Sequence, residues 1–217
     1  MKRIEYELHD KVVEFFFPKE RVKNKNQILQ ILFEATRYML GASSRPTHNH
    51  NKIVLFVDKM SRLFFYTKDK YYSIAFPFYV IETESGINFS YRDTLIDSLF
   101  ITNVMSILKD KAFDSQSSIG FAEPICQIED EYNDNFWLLF KDLLIFEDGY
   151  LRYDDDIEGY KEAKAKEQEH RHPKNHLDIF YTNKATFKIG LDNCIDKKEF
   201  IDYVNVNTDC KYLRDHK

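Results

Sequence analysis

The segments YLRYD (150–154), HLDIFYT (176–182) and ATFKIG (185–190) decide how this chain is read. Each is short, rich in β-branched and aromatic residues, and alternates polar with apolar side chains. That period of two marks a strand with two different faces. Tyr150, Arg152 and Asp154 lie opposite Leu151 and Tyr153, and His176, Asp178 and Phe180 lie opposite Leu177, Ile179 and Tyr181. In the third segment Thr186 and Lys188 lie opposite Phe187 and Ile189. As neighbours, the three strands gather Arg152, Asp154, His176, Asp178 and Lys188 on one face. The other face is wholly apolar and is expected to supply the core. Asn183-Lys184 reads as a tight hairpin between the last two strands. The charged stretch Asp155–Glu169 reads as a solvated loop or short helix inserted within the sheet.

Upstream, KIVLFVD (52–58), RLFFYT (62–67), YYSIAFPFYVIE (71–82) and INFSY (87–91) continue the strand pattern, with turns at Asp69-Lys70 and Ser85-Gly86. Pro77 predicts an edge position or a bend in the third. Helical spacing appears over 4–17, through Ile4, Leu8, Val12 and Phe15 or Phe16, ending before Pro18. It recurs over 26–40, where Asn26 can cap, Ile28, Ile31, Leu32, Ala35 and Met39 share a face, and Gly41 stops the helix. A third helix is read from Asp93 to Lys109, capped by Asp93 or Thr94 and burying Leu95, Ile96, Leu99, Ile107 and Leu108. A fourth, within 128–146, ends near Phe146, and a last, over 197–206, follows an Asp196 cap and carries Phe200, Ile201 and Val204. Residues 43–51 and 113–125 read as loops. The fold class is therefore α+β, a single domain over residues 1–217 with a mainly antiparallel sheet and about four or five helices.

Composition narrows the function classes. The 217 residues are 43% hydrophobic and 16% aromatic, enough for a packed core. A net charge of −5 and a pI near 5.8 argue against a dedicated duplex-DNA binder, though a local basic pocket would suffice for catalysis on nucleic acid. Cys126, Cys194 and Cys210 are odd in number and form no CxxC pair, which reads as free thiols in a reducing compartment. Met1–Asp10 has no apolar leader character and no apolar run reaches membrane-span length, so a cytoplasmic location and no membrane contact are expected.

Ionisable residues gather on one short sheet face when they have a partner or a task. His170-Arg171-His172-Pro173 precedes the second strand, bringing His172 within reach of His176, and Pro173 stiffens the approach. Two chemistries fit. In the first, His172 and His176 act as general base and acid, Arg152 and Lys188 hold a phosphate, and Asp154 or Asp178 orients a histidine. That is a metal-independent phosphodiester cleavage, most naturally of RNA. In the second, Asp154, Asp178 and a histidine bind a divalent metal with Lys188 as helper. The first is preferred, with no metal assigned and any cofactor left open, because Thr186 stands where an acidic-x-Lys signature needs a carboxylate. A plainer alternative reads Arg152–Asp154 and Asp178–Lys188 as cross-strand ion pairs on a wet face.

GYLRYDDD, then HPKNHLDIFY, then ATFKIGL, resembles a family of uncharacterised bacterial proteins in which an Arg-Tyr-Asp strand precedes a His-Pro-x-x-His element. A similar rhythm occurs in some small toxin components of toxin–antitoxin pairs. The likeness covers about residues 149–191 and falls on Arg152, Asp154, His172, His176 and Lys188. It implies a bacterial effector or accessory protein linked to antiphage defence or a toxin system, with nucleic acid, an antitoxin or a larger protein as partner. The competing reading is a non-catalytic protein-binding subunit of an antiphage defence complex, which docks a larger protein through aromatic-rich surfaces. His48-Asn49-His50 lacks the ββα setting of an HNH site, and the run 161–169 reads as a solvated helix face.

Overall fold

A computed structural model describes residues 2–18, 22–43, 48–84, 86–111, 113, 125, 136–182 and 185–212. Seven strands form one antiparallel sheet in the order β1 (Arg3–Glu7), β2 (Lys52–Phe56), β3 (Arg62–Tyr66), β4 (Lys70–Ala75), β8 (Leu151–Asp155), β9 (Asn175–Thr182) and β10 (Ala185–Leu191). A second sheet, β5 (Tyr79–Thr83), β6 (Gly86–Tyr91) and β7 (Thr94–Leu95), is inserted between β4 and β8. The helices are α1 (Asp10–Phe16), α2 (Lys25–Gly41), α3 (Ser98–Lys109), α4 (Phe136–Ile145), α5 (Ile157–Lys164) and α6 (Lys197–Asp202). The α+β class holds, with six helices among the described residues. No helix among them is long and apolar enough to cross a membrane. The expected loop over 113–125, the start of the 128–146 helix and the Asn183-Lys184 turn lie largely or wholly outside the described residues.

Several sequence expectations are corrected. Residues 4–17 are not one helix: Ile4, Tyr6 and Leu8 are buried at a spacing of two, and β1 pairs along β2 before α1 begins. Ile4, Leu8 and Val12 have helical spacing, but the buried Tyr6 between them fits only the alternation of a strand. The helix expected from Asp93 begins at Ser98, where the Asp97 side chain accepts from the Phe100 N–H. Leu95 and Leu99 are consequently exposed, and Thr94 and Leu95 pair with β6 instead. The stretch 71–82 bends at Pro77 as expected, but it divides there into β4 and β5, which belong to different sheets. Pro77 offers no N–H to a ladder and turns the chain there. The helix at 26–40 stands, but its cap is Asn24, whose side chain accepts from Gln27 N–H at 2.9 Å. Asn26 is instead buried and donates to the Leu108 carbonyl of α3 at 2.8 Å. The final helix ends at Asp202, with Asp196 as its cap as expected.

The larger core lies on the sheet face that carries Ile53, Leu55, Leu63, Phe65, Tyr72 and Ile74. It is filled by α2, α3 and α4 and runs on to Phe78 and Phe89 of the insert. A smaller cluster on the opposite face joins Val54, Phe56, Phe64, Tyr66, Tyr153 and Leu177 to Phe200 of α6. Register decides which side of the last three strands meets the larger core. Phe65 pairs with Tyr72 and Tyr72 with Arg152, so the polar side of β8 to β10 continues the face of that core. Tyr150 and Phe180 on that same side belong to the larger cluster. The apolar backs of β8 to β10 supply only the smaller one, and there Tyr181 and Phe187 remain exposed.

Candidate functional site

The expected face assembles in the structure. Arg152 lies opposite Asp178, Asp154 opposite His176, and Lys188 opposite Asp178 on the other flank of β9. The face is not wet. Arg152, Asp154, His176 and Asp178 are all buried, and His176 is only 1% exposed. Four ionisable groups this deep cost several kcal/mol of desolvation unless they compensate one another, and they do so in a definite pattern.

Arg152 grips Asp154 with two nitrogens, Nε to Oδ1 at 3.0 Å and a terminal nitrogen to Oδ2 at 2.8 Å. This pair is thus two residues apart on one strand, not cross-strand. Burial pulls the Arg152 pKa down, but the Asp154 charge and the neighbouring Tyr150 outweigh it, and the guanidinium stays charged. Lys188 sends its ammonium to His176 Nε2 at 2.9 Å and toward His172 Nδ1 at 3.5 Å, with Asp178 Oδ1 at 3.6 Å. His176 Nδ1 lies 2.8 Å from the Pro173 carbonyl. A carbonyl only accepts, so Nδ1 carries the hydrogen and Nε2 presents its lone pair to the cluster. Burial first, and Lys188 next, push the His176 pKa below its usual value, which favours the neutral ring.

The excursion between β8 and β9 folds over this face and makes the outer wall. His172 Nε2 meets Asp156 Oδ2 at 2.9 Å, and its ring stands edge-on to His176 with centroids 4.9 Å apart. Burial raises the Asp156 pKa, but the Gly159 N–H and the His172 ring together hold it below the usual carboxylate range. Two glycines make the fit possible. A Cβ on Gly159 would lie 2.5 Å from both Asp156 Oδ2 and His172 Nε2. One on Gly190 would lie 2.9 Å from Pro173 Cγ. Asp156, Gly159 and Gly190 were not among the sequence candidates. An isolated glycine in the charged helical stretch was the available signal, since glycine inside a helix costs stability without a packing reason.

All six candidates therefore meet: His172, His176, Asp154, Asp178, Arg152 and Lys188 form one continuous cluster. His172 and Lys188 reach solvent, with side chains 29% and 25% exposed, while the other four lie behind them. A cavity of about 10 Å³ touches Lys70, Tyr72, Tyr150 and Arg152 from the side of α1, room for no more than a water. Larger grooves of about 550 and 400 Å³ lie elsewhere, at Glu7, Arg37 and Tyr38 and at Asp69, Tyr153 and Glu199. His48 and His50 are exposed and lie outside the cluster. No protein-family model, curated protein or solved structure matches this chain.

Proposed function

We propose that this chain cleaves phosphodiester bonds of nucleic acid, RNA in particular, at the polar face of β8 to β10, as an effector in a bacterial defence or toxin system. One observation carries the reading. An imidazole aligned by a carboxylate, His172 with Asp156, stands beside a solvent-reaching ammonium, Lys188, over a buried charge cluster. Apolar residues of similar volume often stabilise such a position about as well, so stability alone gives little reason to keep charges there. Buried ionisable groups with specific charge partners are the pattern of functional sites.

In this reading His172 donates a hydrogen bond from Nε2 to the Asp156 carboxylate, which leaves the Nδ1 lone pair as the base. Nδ1 removes the proton of the attacking 2′-hydroxyl as its oxygen bonds to phosphorus. The bond from phosphorus to the 5′ oxygen breaks, and the Lys188 ammonium, backed by His176, gives that oxygen a proton. Lys188 also offsets the charge that gathers on the phosphoryl oxygens. Arg152 holds Asp154 and reaches substrate only through it. Removing the His172 base is expected to cost about 10²- to 10⁴-fold in rate.

The second reading, a non-catalytic subunit that docks a larger protein, has one observation in its favour. Tyr79, Ile81 and Leu95 are exposed together on one side of the small sheet. The test is end-labelled RNA incubated with purified full-length protein, in chelator and in Mn²⁺, comparing wild type with His172→Ala and Lys188→Met. Cleavage lost in both folded variants supports the enzyme. A folded wild type that cleaves neither RNA nor single- or double-stranded DNA sinks it and leaves the docking subunit.

A further inference from the structure

We infer that Asp154, His176 and Asp178 form a binding site for one divalent cation, and that the Lys188 ammonium is a resident substitute for it. The inference rests on the phosphodiesterase reading for its use, but not for its geometry. One donor atom from each of the three residues lies within 4.8 Å of the others, and all three residues are buried. His176 Nε2 is 3.6 Å from Asp154 Oδ2 and 3.8 Å from Asp178 Oδ2. Around an ion with bonds of about 2.1 Å, neighbouring ligand atoms sit roughly 3.0 Å apart in an octahedron and 3.4 Å in a tetrahedron. The two distances from His176 exceed the tetrahedral spacing by about 0.2 and 0.4 Å, and the two carboxylate oxygens lie within 4.8 Å of each other.

Proximity of two carboxylates is not sufficient, and two independent features point to a ligand. Asp178 Oδ1 is buried and has no hydrogen-bond partner, although the residue is 5% exposed. A buried carboxylate oxygen left so is costly, and its nearest cation, Lys188 Nζ, stands at 3.6 Å, beyond hydrogen-bond reach. The second feature is the histidine tautomer. The Pro173 carbonyl accepts a hydrogen bond from Nδ1–H, so the Nε2 lone pair faces the carboxylates, as a metal-ligating imidazole requires. Arg152 orients Asp154 in the same supporting way, through both carboxylate oxygens.

Lys188 then has a definite part. Its Nζ takes the histidine lone pair at 2.9 Å and faces Asp178 Oδ1 at 3.6 Å, so it competes with a cation for that lone pair. It is partly exposed, and its stem allows the ammonium to swing toward solvent and the phosphate as the ion enters. Two oxygens and one imidazole nitrogen suit a first-row ion such as Mn²⁺. With Arg152 retained, the ion would leave the buried set positively charged, which favours an anionic substrate.

The test uses full-length protein and Mn²⁺ alone. Free Mn²⁺ is followed by its electron paramagnetic resonance signal and bound Mn²⁺ by equilibrium dialysis. Mn²⁺ is chosen over Zn²⁺ because Cys194 and Cys210 are exposed and would capture the softer ion. The expected result is one Mn²⁺ per chain, weakened at least about tenfold by Asp178→Asn or Asp154→Asn and tightened about tenfold by Lys188→Met. A gain of affinity cannot come from misfolding, so Lys188→Met decides the matter even if an aspartate variant fails to fold. No binding by folded wild type and folded Lys188→Met overturns the inference, as does binding that folded aspartate variants leave unchanged. Cleavage in chelator without Mn²⁺ binding removes the metal and keeps the phosphodiesterase. Mn²⁺ binding without any cleavage does the reverse.

Discussion

Replacing Arg152 by Met tests whether the buried charges serve the fold or only occupy it. The Arg152 and Asp154 side chains are 9% and 4% exposed, and two contacts of 2.8 and 3.0 Å join them. Arg152→Met leaves the Asp154 carboxylate buried, with Lys70 at 4.0 Å and His176 at 3.6 Å as its remaining neighbours. Stranding one member of a buried pair costs about 3–5 kcal/mol. For a chain of this size that lowers Tm by about 6–20 °C. Asp154→Leu strands the guanidinium instead and is expected to cost a similar amount. The double variant removes both charges from a site already flanked by Tyr72, Tyr150 and Phe180. It should lose no more than about 1–2 kcal/mol, giving a coupling of at least about 4 kcal/mol. Urea denaturation of the four proteins measures this, with equal slopes confirming that the same transition is compared. A double variant as unstable as the sum of its parents, with coupling under about 0.5 kcal/mol, would refute the account. A stable, folded but inactive double variant would place the value of the pair in function.

Two further substitutions separate positioning from folding. Gly159→Ala sets a methyl 2.5 Å from the Asp156 and His172 contact atoms and should drive that pair apart. Alanine's helix preference of about 1 kcal/mol roughly offsets the lost bond, so Tm should barely move while the cleavage rate falls by about tenfold or more. Unchanged activity would show that His172 needs no such alignment. Asp97→Ala removes the side chain that caps α3, remote from the cluster. It should cost about 1 kcal/mol, or about 2–4 °C, with cleavage per folded molecule unaffected.

Much of the candidate site was legible because strand alternation is a local rule. Once 150–154, 176–182 and 185–190 are strands, the covalent geometry puts Arg152, Asp154, His176, Asp178 and Lys188 on matching sides, and pairing has only to set the register. The α2 stretch was equally readable, its apolar spacing running over four turns or more. Where the chain offered too short a window, the pattern failed. Ile4, Tyr6 and Leu8 fit a strand as well as Ile4, Leu8 and Val12 fit a helix, and β2 decided between them by pairing with β1. Asp93, Thr94 and Asp97 are all plausible caps, and only the pairing of Thr94 with Tyr91 leaves the helix to begin after Asp97.

Pattern along the chain was enough for the α+β class, for the strand character of the C-terminal third and for the set of polar residues sharing a face. The burial of that face emerges only on folding. The register of β4 on β8 continues the larger core across the sheet, and the excursion after Asp155 folds back over it. Burial is a property of what lies above a sheet, and alternation along a strand carries no information about that. The roles of Asp156, Gly159 and Gly190 were hidden for the same reason, since each is defined by an atom far from it in the chain or on a neighbouring element.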